Sequence, residues 1–133
     1  MSAQRESDPS AQLNRYLAAF AKRDAAAAAA CFAHPAILDL PAVKPSRFLG
    51  REEVTAAHAA AFENLEKAAI ETDEILSAEG GAMASGRMTV VCRGQKHVHP
   101  FAIAADSTAS GLSRVSWYWD FRGQRPWSDK TVL

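Results

Sequence analysis

From Ala69 onward the apolar residues alternate along the chain, whereas before it they recur every three to four positions. This change of period constrains the fold more than any composition count. A repeat of about 3.6 residues marks a helix with one buried stripe, and a repeat of two marks a strand with one buried face. In the first half, Asp8-Pro9 reads as a helix start, with Asp at the N-cap and Pro in the first turn. Leu13, Tyr16, Leu17 and Phe20 then fall on one helical face. Asp24 restarts a second, Ala-rich helix predicted to run through Cys31 and Phe32 and to stop before Pro35. Ala36 to Leu40 predicts a short strand, and a Pro-containing loop from Pro41 to Phe48 leads to Gly50. A third helix is predicted from Arg51 to about Lys67, with Val54, Ala57, His58, Ala61, Phe62 and Leu65 on its stripe.

In the second half a strand is predicted from Met83 to Arg93, with Ala84, Gly86, Met88, Val90 and Cys92 on one face and Ser85, Arg87, Thr89 and Arg93 on the other. Gly94-Gln95 predicts a tight turn. The strand from His97 to Ala105 puts His97, His99, Phe101 and Ile103 together, and a polar loop follows from Asp106 to Gly111. Leu112 to Arg122 forms the last strand, with Val115, Trp117, Trp119 and Phe121 opposed to Arg114, Ser116, Tyr118 and Asp120. Ile70 to Glu79 adds a further strand. Helices followed by an antiparallel meander predict an α+β protein with its helices packed on one sheet face.

The length of 133 residues fits one domain, read as 8–133, with residues 1–7 lacking periodicity and predicted to be disordered. Fifteen basic and fifteen acidic side chains leave a formal net charge of +0. No Lys/Arg run supplies the phosphate-neutralising stripe of a nucleic-acid binder. No apolar stretch approaches the ~20 residues a membrane helix needs, and the polar N-terminus is not a signal peptide, so a cytoplasmic location is expected. Two cysteines, Cys31 and Cys92, make neither a disulfide framework nor a zinc site. With no Gly-rich phosphate loop and no nucleophile elbow, no cofactor is expected.

Three strings carry a resemblance. RYLAAFAKRDAAAAAACFAHPAILDLP, PSRFLGREEV and SWYWDFRG occur in that order, and the resemblance they carry covers the chain from Leu13 to Arg122. Together they resemble the helix pair, the glycine opening the third helix and the last-strand ending of the nuclear transport factor 2-like superfamily. Its SnoaL-like polyketide cyclase and ketosteroid isomerase branches are the most similar in kind. The resemblance implies a cone-shaped roll, in which a curved mixed or antiparallel sheet wraps three helices around an apolar pocket. It also implies a homodimer through the outer sheet face, the face bearing Arg87, Thr89, Tyr118 and Asp120. Fold alone does not decide the reaction.

By the same resemblance Tyr16 falls at the isomerase's oxyanion-stabilising tyrosine, and His58 at a tyrosine supporting that network. The isomerase's catalytic aspartate corresponds to Leu40 and its second oxyanion acid to Phe101. Losing both acids argues against steroid isomerase activity. Asp39 is one residue off, and a one-residue step along a strand points to the opposite face. It becomes a general base only if a bulge turns it inward, where desolvation would raise its pKa. His58, on an apolar stripe facing Tyr16, is a candidate acid/base, and His99 a candidate at the pocket mouth. His97 and His99 have a two-ligand spacing, yet no third ligand stands at a telling distance, so no metal is expected. Phe32, Met88, Phe101, Trp117 and Trp119 would shape the pocket around a small hydrophobic ligand. Tyr16 and His58 are expected within bonding reach of each other. The readings left open are a cofactor-independent acid/base enzyme, a non-catalytic binder, and a dimeric accessory protein with a filled interior.

Overall fold

A computed structural model describes residues 8–40 and 46–119, with the side chain of Trp119 outside that description. The expectations for residues 1–7, Asp120, Phe121 and the end of the domain at 133 lie outside the described residues, as does most of the predicted Pro41 to Phe48 loop.

Helix α1 spans Pro9–Ala21 and buries Leu13, Tyr16, Leu17 and Phe20. Its N-cap is Asp8, whose carboxylate accepts from the Ala11 amide at 3.3 Å. At its other end Lys22 bonds back to Ala18 and Arg23 to Phe20, with Arg23 at φ 56°. Helix α2, Ala25–Ala30, is capped by Asp24 through the Ala27 amide. It stops two residues before the predicted Phe32. Strand β1 (Phe32–Asp39) begins there instead, because the Cys31 carbonyl accepts from the Leu112 amide and Phe32 pairs with Leu112. Strand pairing across the molecule overrides the local helix preference.

Strand β2 (Arg47–Leu49) pairs with β1 where a loop was predicted. Helix α3 spans Gly50–Glu63, with Gly50 at φ 89° and Glu52 and Glu53 in its first turn, where acids suit the helix dipole. It ends at Glu63, capped by Asn64, rather than near Lys67, because Glu66 and Lys67 are already drawn into pairing with Val91. Strands β3 (Lys67–Ala78), β4 (Gly81–Cys92), β5 (Gln95–Thr108) and β6 (Gly111–Trp119) complete the chain. Each begins earlier than its period predicted, and only turns of about two residues separate them.

The six strands form one open sheet in the order β2-β1-β6-β5-β4-β3, antiparallel except for the parallel pair β1/β6. The expected α+β architecture, helices on one face of a mixed sheet, is present. Met88, Val90, Phe101, Ile103, Val115 and Trp117 all turn toward the helices and are buried. The predicted face assignment of β4, β5 and β6 therefore holds over the described residues. Gly86 answers a close approach: a Cβ there would run into the Glu71 carbonyl oxygen, beside the register shift between Thr72 and Glu74.

Candidate active site

Three elements converge on one polar group inside the helix–sheet interface. Tyr16 comes from the middle of α1, His58 from the middle of α3, and Trp117 from β6. The Tyr16 hydroxyl lies 2.6 Å from His58 Nε2, so the contact expected between these two residues exists. His58 Nδ1 lies 2.8 Å from the Val54 carbonyl one helical turn earlier. A carbonyl can only accept, so Nδ1 carries the proton and the bare Nε2 accepts from the Tyr16 O–H. Trp117 Nε1–H donates to the Tyr16 oxygen at 2.9 Å. A chain of three hydrogen bonds thus runs in one direction: Trp117 to Tyr16, Tyr16 to His58, His58 to Val54.

The chain is fully desolvated. Tyr16 and His58 are 0% exposed and Trp117 1%. Burial pushes the Tyr16 phenol well above its usual pKa, against a smaller opposing effect of the Trp117 bond. Burial lowers His58 to about 4, against a smaller opposing effect of the Val54 bond. Both residues are neutral at pH 7. Rings close around them: Phe32 stands edge-on to Tyr16 at 5.7 Å, Phe20 packs on Trp117 at 4.9 Å and Phe62 on Phe20 at 5.0 Å, while Phe101 lies 5.6 Å from Trp117. Phe20 and Phe62 were not among the residues expected to shape the site. Their signal was in the sequence: each follows Tyr16 or His58 by four positions, one turn along the same face. The polar role of Trp117 had no such signal, since 101 residues separate it from Tyr16.

Phe32, Met88 and Phe101 are buried on the inner side, as the face assignment required. Trp119 is described only through its backbone, which pairs opposite Phe101. His99 is buried on the inner face opposite Met88 and stacks on His97 at 6.2 Å. Among the described residues, no hydrogen bond or ring contact joins it to Tyr16 or His58. Among the described residues, too, no three His, Cys, Asp or Glu side chains gather as a metal site.

Asp39 corrects the inward possibility. It pairs with Arg47 and Ser116 and lies on the sheet face away from the helices. Its carboxylate binds Arg47 at 2.7 Å and Arg114 at 2.6 Å, with Ser116 at 3.4 Å. Burial alone would raise its pKa, but the bonds and charges of the two arginines outweigh that and hold it below the usual range. The physical reason is strand parity: the shift between Phe32 and Ile37 precedes Leu38, and from there Leu38 faces in and Asp39 out. Asp39→Asn is accordingly expected to cost no more than about 1 kcal/mol, because both arginines remain free to be solvated. Urea unfolding at pH 7 checks this.

No described helix is long and apolar enough to cross a membrane. A SnoaL-like domain model matches residues 13–127. No curated protein matches the sequence. Solved structures share the fold at low identity. A hypothetical protein with a ketosteroid isomerase-like fold from Catenulispora acidiphila, in complex with trimethylamine, has a TM-score of 0.75 at 14% identity, over 83% of this chain and 85% of that one. A SnoaL-like polyketide cyclase candidate from Shewanella denitrificans has 0.74 at 9%, over 91% and 92%. An LEH-like epoxide hydrolase from M. tuberculosis has 0.73 at 9%, over 84% and 82%. With a family model covering most of its length and its helices laid on a six-stranded mixed sheet, the chain belongs to the SnoaL-like domain family of the nuclear transport factor 2-like superfamily.

Proposed function

We propose that this protein is a cofactor-independent acid/base enzyme of isomerase, cyclase or hydrolase type, acting on a small hydrophobic cyclic or polyketide-like molecule. The observation that carries this reading is the 2.6 Å bond between Tyr16 and His58, both fully buried. At rest the donor and the acceptor satisfy each other. A carbonyl ligand entering between them would take the phenol O–H onto its oxygen, while His58 Nε2 accepts a proton from the adjacent carbon. The enolate forms against Tyr16, and His58 returns the proton to the product. A donor fixed in low dielectric stabilises such developing charge more than it would in water. A base of low pKa suffices when the enolate is itself hydrogen-bonded. Names borne by fold neighbours, a cyclase candidate and an epoxide hydrolase, belong to the same broad chemistry.

The test is α-hydrogen exchange in D₂O on hydrophobic cyclic ketones. The wild-type protein is expected to accelerate exchange, and Tyr16→Phe and His58→Gln each to reduce it by roughly 10²-fold, with Asp39→Asn unaffected. A folded wild-type protein that leaves the whole ketone panel unexchanged contradicts the reading. A second reading, a non-catalytic binder or accessory protein, is favoured by the packing of Phe20, Phe101 and Trp117 into the interior. Ligand binding without exchange, equal in both variants, would select it.

As part of this proposal the protein works in the cytoplasm as a homodimer through its outer sheet face. Leu76, Met83, Val98 and Tyr118 are each at least half exposed on that face. Light scattering at micromolar concentration should give twice the 14.3 kDa chain mass, and a monomer mass would refute it.

A further inference from the structure

Away from Tyr16, past the C-terminal end of α1, four cationic residues line one groove. Lys22 and Arg23 come from the α1–α2 turn, Lys67 from the start of β3 and Lys96 from the start of β5, and together they line a groove of about 560 Å³. Val91, three alanines and Thr89 supply the rest of its wall, Thr89 being shared with the outer sheet face proposed for the dimer. Lys67 and Lys96 flank Val91 in one rung across three strands, so they stand roughly 10 Å apart.

Among the described residues none of the four cations is ion-paired. The acids nearest in sequence are turned elsewhere: Asp24 caps α2 through the Ala27 amide, and Glu66 accepts from the Gly94 amide. Neither lines the groove. Charges at a helix C-terminus explain part of the pattern, since Lys22 and Arg23 complement the α1 dipole. That explanation does not reach Lys67 and Lys96, which lie on strands. Arg23 carries a second mark. It holds a left-handed backbone (φ 56°) at a position glycine usually fills, and its guanidinium is fastened to the Leu65 carbonyl at 3.0 Å. A chain of formal net charge +0 has therefore gathered four like charges around one concavity without interleaving acids.

We infer that this groove binds a small phosphate-bearing molecule, with the phosphate held among Lys22, Arg23, Lys67 and Lys96 and a short apolar part lying on Val91. A dianion would neutralise part of the positive charge gathered there. The Arg23 N–H groups beyond the one bound to Leu65 offer donors in a fixed direction. The groove spans one molecule rather than a polymer backbone, consistent with the absence of a longer basic stripe.

The experiment is an amide chemical-shift titration of the full chain with glycerol phosphate and with inorganic pyrophosphate at low salt. The expected result is saturable shifts confined to residues 21–23, 67–69, 89–91 and 96, weakening roughly tenfold between about 20 and 200 mM NaCl. The charge-reversed pair Lys67→Glu with Lys96→Glu should abolish them, and the milder Lys67→Gln with Lys96→Gln should weaken them while the amide spectrum keeps its folded dispersion. Vesicles containing phosphatidic acid form a separate arm. Sedimentation with vesicles but no groove shifts with the soluble esters would overturn the small-molecule assignment. Shifts scattered over all lysines, no saturation, or equal binding by the folded glutamine variant would overturn the site itself.

Discussion

Tyr16→Phe is expected to destabilise the fold by about 2–4 kcal/mol, far more than the loss of one exposed hydroxyl. The phenol oxygen both donates to His58 Nε2 at 2.6 Å and accepts from Trp117 Nε1 at 2.9 Å. Phenylalanine keeps the ring contacts with Phe20, Phe32 and Trp117 but removes both bonds at once. Two buried polar groups, each costing about 1–3 kcal/mol when its bond is lost, are then exposed to an apolar interior. For a domain of this size that corresponds to a fall in Tm of roughly 6–16 °C. A double-mutant cycle with His58→Leu should show the penalties to be less than additive, with a coupling of about 1–2 kcal/mol. Thermal and urea unfolding measure both quantities. A Tyr16→Phe change below about 0.5 kcal/mol would mean that the bonds are not formed in solution.

The second large effect is an acid-side loss of stability that precedes ordinary carboxylate titration. His58 titrates near 6.5 when unfolded and at about 4 in the folded chain, because burial opposes its charge. Between those values the unfolded chain binds a proton that the folded chain refuses, so stability rises with pH there. The contribution is complete above pH 6.5, shrinks as pH falls through the window, and levels off below about 4. The difference between those two values corresponds to about 3 kcal/mol at the bottom of the window. His58→Gln should flatten the dependence between pH 6.5 and 4. Asp39 acts in the same direction but lower, since its folded pKa lies beneath the usual 3.8, and its stability is lost only as pH falls through that depressed value. Urea unfolding of the two proteins at pH 7, 5.5 and 4.5 separates the two groups. Parallel curves for wild type and variant would refute the assignment.

Much of this was readable from residue spacing. The buried faces of β4, β5 and β6 followed from alternation alone, because only one sheet face is covered by helices. Tyr16 and His58 were each readable as inward residues from a helical stripe. What spacing could not supply was contact across the sheet. Trp117 reads as an apolar wall in sequence, and only the packing of α1 against β6 makes it the donor to Tyr16. Element ends were misplaced wherever a distant strand competed for the backbone, as at Cys31 with Leu112 and at Lys67 with Val91. Asp39 was decided by the parity of one residue after a register shift that local sequence does not reveal. The basic groove was invisible for a related reason: its four cations lie on three separate segments in a chain whose charges sum to zero.

A neutral, one-directional hydrogen-bond chain through His58 lies at the heart of the helix–sheet interface. Nitrogen NMR of the His58 imidazole in the intact protein reads the protonation of both ring nitrogens. The expected spectrum shows a proton on Nδ1, a bare Nε2 at neutral pH, and no protonation until the pH approaches about 4. A proton found on Nε2, or a His58 that titrates near 6.5, would contradict it.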